Sequence, residues 1–537
     1  MHTTPAIVLT VAALAATALV AQSNTVPGID GSLTNNANPT YYGRRGAAHP
    51  GGEIGMSYSY TMCNPGTAVI PWAAPMLPTH PMFAFMVVRE SNGRLEQITN
   101  STTTYVKHAF GAANSPSTCG GTCQTSGGSG LRVFCTDTYS VGTNANRFYL
   151  APASEIDPWT GIWQPVGSYF DRGDPSVAPP NNTDGVRSLT SGTAGVFTDL
   201  VRNRVTLREA DLLVPGRLFM CMHIVVLGED GDLHFNNTGR RQMTATWGGS
   251  TWTFANPSGF VQGSVLHEWV GATVGSARNG EDDGHFLVAA KVTPLTGGLW
   301  HYEYAVQNLD NARGGASLRI PLCSGSALAN VRFRDVDGDP LDEWTWQRTG
   351  ENLEFLASAN NPLDWNTIYN FGFDTDVPPV AGNVAIDQAR IGPGALAVSV
   401  ATQIPAGLAN VTGLGAGCGA PAPALQAIGL PTIPNATFAL TTTTAPGAAA
   451  LLFYSLASAN LPLAPGCFQY LDGLYLATHG LLIASGAGLA TAPVPIPADL
   501  SLDGLEISWQ AAELVIGGPV LGSFSLSNGL LVKVACR

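Results

Sequence analysis

An acidic run near the middle of the chain has the residue types and spacing for metal binding. It places four aspartates within eight residues: Asp335, Asp337, Asp339 and Asp342. Because Ca²⁺ takes six to eight oxygen ligands, alternating aspartates around a glycine turn can wrap one ion. An EF-hand requires glycine at loop position 6 and glutamate at position 12, where this run has Pro340 and Trp346. The run therefore predicts either a calcium loop of another kind or a solvated acidic turn.

A second set of polar residues lies between residues 80 and 137: His80, Arg89, Glu96, Lys107, His108 and Asp137. Histidine titrates near neutral pH and acts as an acid, a base or a metal ligand. His80, Glu96, His108 and Asp137 are therefore the candidate catalytic residues, if the fold brings them together. The alternative is that these side chains form structural hydrogen bonds and cap strands.

Nine cysteines are spread along the chain: Cys63, Cys119, Cys123, Cys135, Cys221, Cys323, Cys418, Cys467 and Cys536. The spacing of Cys119, Cys123 and Cys135, with His108 and Cys63 nearby, also fits a zinc site. We favour disulfides, because cysteines of secreted proteins are mostly oxidised. Cys119–Cys123 and Cys63–Cys135 are both candidate bridges, and the odd number leaves at least one cysteine unpaired within the chain.

Other polar and aromatic residues are explained more simply by structure. The acidic segments Glu229–Asp232 and Glu281–His285 contain residues that favour turns. His301 and Glu303 share one face of a strand whose other face carries two tyrosines, so we expect a polar exposed surface there. Seven tryptophans could stack on sugars, but tryptophans more often fill β cores: Trp247, Trp252, Trp269, Trp300, Trp344, Trp346 and Trp365.

Short motifs of several enzyme classes are missing from the sequence. It contains no G-x-S-x-G elbow, H-E-x-x-H helix, G-x-x-x-x-G-K-[ST] loop or C-x-x-C pair. A carboxylate pair for glycoside hydrolysis cannot be read from sequence, because its ~5–9 Å separation depends on the fold.

The elements that position these residues are short β-rich segments separated by turns, such as Phe83–Arg89, Leu218–Leu227, His285–Thr293 and His301–Gln307. Helical periodicity is scarce, and Leu207–Leu213 is one short exception. The pattern predicts an all-β, multidomain protein with β-sandwich-like domains of the immunoglobulin or fibronectin kind. By composition we expect a cysteine-containing β-rich domain over 22–210, a β-sandwich over 211–405, a linker over 406–416 and a C-terminal β-module over 417–537.

Residues 6–21 form an apolar run of ~16 residues, the length of a signal-peptide core and short for a membrane span. Small residues offer cleavage after Ala18 or Ala21, so residues 1–21 are the predicted signal peptide. No later stretch of ~18 residues is apolar enough to cross a membrane. We expect a secreted protein, extracellular or at the cell surface, that does not span a membrane.

Charge excludes other classes of function. The 537 residues carry a formal net charge of −13, and charged residues make up 12% of the chain, about half the ~25% of an ordinary domain. The only lysines are Lys107, Lys291 and Lys533, and no run of lysines and arginines exceeds two. We therefore expect no nucleic-acid partner. With 45% hydrophobic residues, the chain has enough apolar side chains for sizeable cores.

The C-terminal segments Gly413–Gly419, Pro465–Cys467, Trp509–Ala511 and Ser527–Leu530 resemble a module that is appended to many large secreted bacterial proteins of unrelated content. The resemblance implies a bridge between the first two cysteines of this region, Cys418 and Cys467. Cys536 is then the extra one.

The body of the chain resembles a family of secreted bacterial proteins of unknown function. The matching segments include Gly93–Ile98, Val106–Phe110, Leu150–Thr160, Trp300–Leu309 and Asp364–Phe371. The resemblance implies an extracellular, multidomain β protein and names no reaction.

From these observations we expect a secreted or cell-surface structural protein of the adhesion type, without an assigned catalytic activity. An extracellular hydrolase directed at polysaccharides and a carbohydrate-binding protein are the alternatives. Calcium is the one cofactor that the sequence suggests, and extracellular polysaccharide or cell-envelope components are the expected partners.

Overall fold

A computed structural model describes most of the chain, namely residues 25–73, 76–116, 119–125, 127–175, 182–195, 198–280, 284–337 and 339–536. The predicted signal peptide, residues 1–21, lies outside the described residues. In the described part of the chain no helix is long and apolar enough to cross a membrane.

The N-terminal sandwich consists of two facing antiparallel sheets. Its strands are β1 (Ser32–Gly46), β2 (Gly52–Cys63), β3 (Ile70–Pro71), β4 (Met82–Ser91), β5 (Arg94–Gln97), β6 (Val106–His108), β7 (Ser115–Pro116), β8 (Gly130–Leu131), β9 (Cys135–Tyr139), β10 (Leu150–Ala151), β11 (Val205–Arg208), β12 (Arg217–Val225), β13 (Thr238–Trp247), β14 (Trp252–Ala255) and β15 (Phe260–Gln262). One sheet has the order β1-β2-β9-β7, with β11 also on β2. The other has the order β10-β6-β4-β12-β13-β14, with β5 on β4 and β15 on β13. Beside these two sheets, β3 and β8 pair in a small two-stranded sheet of their own.

The middle sandwich also has two antiparallel sheets. Its strands are β16 (Thr273–Arg278), β17 (His285–Pro294), β18 (Trp300–Asn308), β19 (Gly315–Pro321), β20 (Ala329–Arg334), β21 (Thr345–Thr349), β22 (Asn352–Leu356), β23 (Thr367–Thr375), β24 (Val380–Gln388) and β25 (Ala397–Ile404). The sheet orders are β16-β17-β18-β23-β20 and β21-β22-β19-β24-β25. Tyr302 and Tyr304 of β18 lie in the core between them, as the alternation predicts.

The C-terminal sandwich completes the fold. Its strands are β26 (Asn410–Leu414), β27 (Ala424–Ile428), β28 (Ala439–Thr443), β29 (Ala449–Ser455), β30 (Ser458–Ala464), β31 (Cys467–Leu471), β32 (Ala477–Ile483), β33 (Leu489–Pro493), β34 (Glu506–Gly518) and β35 (Gly522–Lys533). A five-stranded sheet, β26-β35-β34-β29-β32, packs on the three-stranded sheet β27-β28-β33. The multidomain, all-β prediction is confirmed by these sheets.

Helices are few and short in the described residues. The α-helices are α1 (Val141–Asn144), α2 (Tyr169–Arg172) and α3 (Glu209–Leu213). The 3₁₀ turns are Arg147–Tyr149, Ala153–Glu155, Gly231–Asn237, Val265–Glu268, Thr296–Gly298, Gly473–Tyr475 and Leu500–Leu502.

Two predicted boundaries are wrong, because strand pairing crosses them. β12, which follows the predicted break at residue 210, pairs along its whole length with β4, which precedes it. β26 lies inside the predicted linker 406–416 and pairs with β35 as an edge of the C-terminal sheet. Composition changes along the chain do not report such pairing. The sheets instead divide the chain near residues 272 and 405.

The N-terminal and middle sandwiches stack face to face. The sheet that contains β4 and β12 turns its outer face toward the sheet that contains β17 and β18, and one apolar cluster joins them: Met86, Val88, Leu95, Phe219, Cys221, Val265, Leu266, Trp269, Leu287, Ala289, Ala305, Leu309 and Ile368. Side chains of the middle sandwich also donate to backbone carbonyls of the N-terminal one. Asn370 donates to Leu95 at 2.9 Å, and Asn366 donates to Phe85 at 3.2 Å. The two domains therefore form four consecutive layers.

Four disulfides connect the chain. They join Cys63 to Cys119, Cys123 to Cys135, Cys323 to Cys536 and Cys418 to Cys467. The pairing within the C-terminal sandwich is the one that the resemblance implies. The first two bridges match neither candidate pairing from the sequence, although they use the same four cysteines.

Cys536 is not the extra cysteine, because it binds Cys323 across 213 residues and ties the C-terminal sandwich to the middle one. The unpaired cysteine is Cys221, which is buried at the interface between the first two sandwiches. Burial among apolar side chains raises the pKa of the Cys221 thiol, so this cysteine stays protonated and inert at neutral pH.

Candidate functional site

A polar cleft opens at one end of the interface between the N-terminal and middle sandwiches. Its volume is about 640 Å³, within the range of ligand-binding cavities. The floor is the outer face of β17, β18, β23 and β20, and the turn between β4 and β5 forms one wall. The lining residues are Asn92, Gly93, Lys291, Thr293, Leu295, His301, Glu303, Asn330, Val331, Arg332 and Asp374.

Glu303 is the centre of the charge network on this floor, and only 2% of its side chain is exposed. Arg94 from the N-terminal sandwich donates through Nε to Glu303 Oε1 at 2.6 Å. Arg332 from β20 donates through Nη2 to Glu303 Oε2 at 2.5 Å. One buried carboxylate therefore links the two domains by charge-assisted hydrogen bonds.

His301 extends the network toward Asp374. Its Nδ1 lies 2.5 Å from Asp374 Oδ1, and its Nε2 lies 3.2 Å from Glu303 Oε2. Asn330 donates to the second oxygen of Asp374 at 2.6 Å. The expectation of a polar exposed surface at His301 and Glu303 is wrong, because β5 covers this part of the strand.

Glycine at position 372 makes room for these charges. Gly372 lies on β23 between Glu303 and Arg332 in the sheet register. A Cβ at this position would lie 2.6 Å from Glu303 Oε2 and 2.8 Å from Arg332 Nε. Because real Cβ contacts are essentially never shorter than 3.0 Å, any larger residue would displace the ion network.

The electrostatics of the network favour the charged forms of Glu303 and His301. Burial opposes ionisation of Glu303, but the hydrogen bond with His301 and the charges of Arg94 and Arg332 outweigh it, so the pKa of Glu303 lies below its ordinary value. The hydrogen bond to Glu303 raises the pKa of His301, burial opposes the rise, and Asp374 reinforces it.

The arrangement supports binding better than it supports nucleophilic catalysis. An Asp–His pair is present, but Nε2 of the histidine contacts Glu303 and Arg332. Among the described residues no serine, threonine or cysteine side chain hydrogen-bonds to His301. The acid–base groups of the cleft are thus engaged in holding the sheets together.

A second polar network closes the opposite end of the same interface. Asp310, fully buried after β18, contacts Nδ1 of His234 at 2.7 Å and Nδ1 of His285 at 3.2 Å. His234 belongs to the N-terminal sandwich, so this contact also crosses the interface. Burial opposes ionisation of Asp310, but its hydrogen bonds with the two histidines hold its pKa below the ordinary value. Nothing in the spacing of these residues signals their proximity, and sequence reasoning missed them.

Glu229 lies beside this network and is itself buried. It accepts hydrogen bonds from the Gly31 amide at 2.5 Å and from the side chain of Asn237. Burial raises the pKa of Glu229 to about 7, although the nearby His234 opposes the rise. Burial lowers the pKa of His223, which lies on β12 near the same network, to about 4. In the predicted turn, Asp230 and Asp232 are exposed, whereas Glu229 is buried.

The four candidate catalytic residues do not form one site. His80 Nε2 and His108 Nδ1 lie 2.8 Å apart, and Trp163 packs against both rings. Burial lowers the pKa of His80 to about 4, and it lowers that of His108 well below its ordinary value. In the described residues neither Glu96 nor Asp137 contacts either histidine. The structural alternative therefore accounts for the histidine pair.

The other members of that set have separate structural partners. Glu96 accepts from Arg89 at 3.1 Å and pairs with Arg334 of the middle sandwich at 2.6 Å, so it adds to the interface. Asp137 accepts from the Ala113 amide at 2.8 Å, and burial raises its pKa to about 6. Lys107 is fully buried, with Nζ 4.1 Å from the centre of the Tyr149 ring.

The acidic run forms a compact loop in the middle sandwich. Carboxylate oxygens of Asp335, Asp337 and Asp342 lie within 4.8 Å of one another. The carboxylate of Asp339 lies outside this group and accepts from the Leu341 amide at 3.0 Å. Asn361 steadies the loop by donating to Asp335 Oδ2 at 2.7 Å.

The remaining predictions concern cysteines and tryptophans. The zinc interpretation of Cys119, Cys123 and Cys135 is wrong, because all three are in disulfides.

Most of the seven tryptophans considered for sugar stacking fill cores, and Trp346 is 50% exposed. The buried ones are Trp252, Trp269, Trp344 and Trp365. The seven tryptophans therefore do not form a continuous surface on which sugars could stack.

No protein-family model matches this sequence, and a search of curated proteins finds no relative. Among solved structures, the major pilin subunit BcpA of Bacillus cereus aligns with 10% identity over 58% of this chain and 80% of its own, with a TM-score of 0.16. Alpha-2-macroglobulins of E. coli and Salmonella align with 8% and 9% identity over 94% of this chain, with TM-scores of 0.14 and 0.15. The chain spans about a third of their length. Scores this low support no inference about fold or function.

Gly372→Ala tests the room that glycine makes for the ion network. We expect the substitution to lower the free energy of unfolding by about 1–3 kcal/mol, the usual cost of overpacking, measured by urea denaturation. Gly413→Ala is the matched control, because Gly413 also lies in a strand and has no atom within 4 Å of the added Cβ. Equal stability of the two variants would contradict this account of the cleft.

Glu229→Gln tests the second network through its pH dependence. Because the pKa of Glu229 is raised in the folded state, the folded protein binds more protons than the unfolded chain between pH 4.5 and 7. Stability should therefore fall by on the order of 2 kcal/mol as the pH rises from 5 to 8. The raised pKa of His234 acts in the same direction, because its stabilising charge is lost as the pH rises.

We expect Glu229→Gln to reduce this fall and to be more stable than the wild type at pH 8. When the Asn237 amide turns over, its Oδ1, which is buried without a partner, can accept from the new amide. Unfolding free energies at pH 5 and 8 measure the effect, with Glu506→Gln at an exposed position as the control. Parallel pH curves for the wild type and Glu229→Gln would show that Glu229 does not titrate as described.

Proposed function

We propose that this chain is an extracellular or cell-surface structural protein of the adhesion type, in which the N-terminal and middle sandwiches form one rigid unit. The observation that carries the proposal is the interface between them. Its acidic and basic residues, which an enzyme would direct at a substrate, pair with each other across the domain boundary: Arg94 with Glu303, Arg334 with Glu96, and His234 with Asp310.

The disulfides support the extracellular location. Eight of nine cysteines are paired, and disulfides persist in oxidising compartments and are rare in the cytosol. Their Cα separations of 4.7–6.1 Å fit ordinary bridge geometry. The proposal includes residues 1–21 as a signal peptide and the C-terminal sandwich as an appended module of secreted bacterial proteins.

Analysis of the protein from its producing cells tests the location. We expect it in the extracellular or surface fraction, with a mature N-terminus after Ala18 or Ala21. Alkylation under denaturing, non-reducing conditions followed by mass spectrometry should label a single cysteine, Cys221. A cytosolic protein with nine reactive thiols would contradict the proposal.

The hydrolase alternative predicts a different result from the same preparation. Release of reducing ends from a polysaccharide, abolished by Glu303→Gln in a protein that remains folded, would replace the structural function with an enzymatic one. The control is Glu354→Gln, which changes a half-buried carboxylate that accepts a hydrogen bond from Gln347 elsewhere in the middle sandwich.

We also propose that the acidic loop binds calcium through Asp335, Asp337 and Asp342. The supporting observation is that Asp342 Oδ1 is enclosed without a hydrogen-bond partner. Loss of solvent and the charges of Asp337 and Asp335 raise the pKa of Asp342, which shows the repulsion that a cation would relieve. Hard oxygen ligands at this spacing suit Ca²⁺.

Calcium should raise the melting temperature of the chain, and a chelator should reverse the rise. When free calcium is at a hundred times its dissociation constant, the free energy of unfolding rises by about 2.7 kcal/mol. Asp342→Asn should abolish the shift, whereas Asp339→Asn should keep it, because Asp339 lies outside the carboxylate group. An unchanged melting temperature in calcium, or equal loss in both variants, would contradict the calcium site.

A further inference from the structure

The floor of the cleft presents two parallel rows of polar side chains. In the register of the sheet, Lys291, Glu303, Gly372 and Arg332 form one row across β17, β18, β23 and β20. Thr293, His301 and Asp374 form the next row, and Asn330 follows on β20. The two rows give a ligand hydrogen-bond donors and acceptors at regular spacing over four strands.

Lys291 is the one basic side chain in the described lining of the cleft that pairs with no carboxylate. Glu303 pairs with Arg94 and Arg332, and Asp374 hydrogen-bonds to His301. No described carboxylate pairs with Lys291, whose Nζ lies 6.0 Å from the centre of the Trp269 ring. The chain has only three lysines and a net charge of −13, so a lysine without a carboxylate partner is unusual in it. It gives the cleft a positive group that the fold itself does not neutralise.

We propose that the cleft binds a carboxylated saccharide, with its carboxylate at Lys291 and its hydroxyls at Thr293, Asn330 and Asp374. The inference rests on the adhesion function proposed above and names the chemistry of the ligand. Sugar hydroxyls both donate and accept, so they match a floor that mixes carboxylates, an amide and a hydroxyl. The ammonium group of lysine makes a charge-assisted bond to a uronate carboxylate.

Size and charge favour a sugar acid over an inorganic anion. The cleft of about 640 Å³ is much larger than a sulfate or phosphate ion requires. Glu303 and Asp374 also lie on the floor, and their carboxylates would repel a doubly charged anion placed among them. A uronate unit carries one negative charge at one edge and several hydroxyls elsewhere, which separates its carboxylate from theirs.

Calorimetric titration of the folded, disulfide-intact chain tests the proposal. The probes are oligosaccharides of glucuronate, galacturonate and mannuronate, each compared with its own methyl ester, which keeps the hydroxyls and removes the charge. We expect at least one of the acids to bind, and its ester to bind about tenfold more weakly or worse, since a hydrogen bond to a charged group is lost.

Variants locate the site. Lys291→Gln should weaken binding of the acid about tenfold and remove the preference over the ester, whereas Lys533→Gln, in the C-terminal sandwich, should change neither. Thr293→Val should weaken the acid and the ester alike. Circular dichroism and the melting temperature confirm that each variant is folded.

Three results would overturn the proposal: binding by none of the three acids, equal binding of acid and ester, or displacement of the acid by an equal concentration of sodium sulfate. None of these results bears on the location and thiol measurements above. A failed ligand proposal is therefore distinguishable from a failed structural function.

Discussion

The pairing of two sheets across a domain boundary is the interaction on which the rest of the structure depends. Apolar side chains such as Met86, Phe219 and Leu287 fill the middle of that interface. Polar networks lie at its two ends, one around Glu303 beside the cleft and the other around Asp310. The apolar middle supplies the attraction, while the networks fix how one sheet lies on the other.

The polar networks are costly to leave incomplete. A buried charge is tolerated only when it is paired and hydrogen-bonded, and removal of one partner leaves the other uncompensated. Glu303 contacts cations from both domains. A change in the orientation of the domains would therefore expose the Glu303 carboxylate or leave it without a partner. This constraint favours a single arrangement of the two sandwiches.

The local architecture could be predicted from the sequence, but its long-range pairing could not. Alternation in the segment that became β18 placed its tyrosines in a core, and the turn-rich composition indicated all-β domains. The predicted boundary at residue 210 is wrong because β4 and β12 pair with each other. More than a hundred residues separate these two strands in the sequence. No local pattern links Cys323 to Cys536, or His234 to Asp310, because these contacts exist only after the sheets have packed. The i, i+2 spacing of His301 and Glu303 showed that these two side chains of the cleft share one face of a strand. The role of Gly372 could not be predicted, because it depends on the register of three strands.

Differential scanning calorimetry of the full chain, compared with Glu303→Gln, tests the central claim most directly. If the interface joins the first two sandwiches into one unit, they unfold in a single transition in the wild type. Loss of the Glu303 charge then moves that transition to lower temperature or divides it in two. Two independent transitions already present in the wild type, and unchanged in Glu303→Gln, would contradict the account.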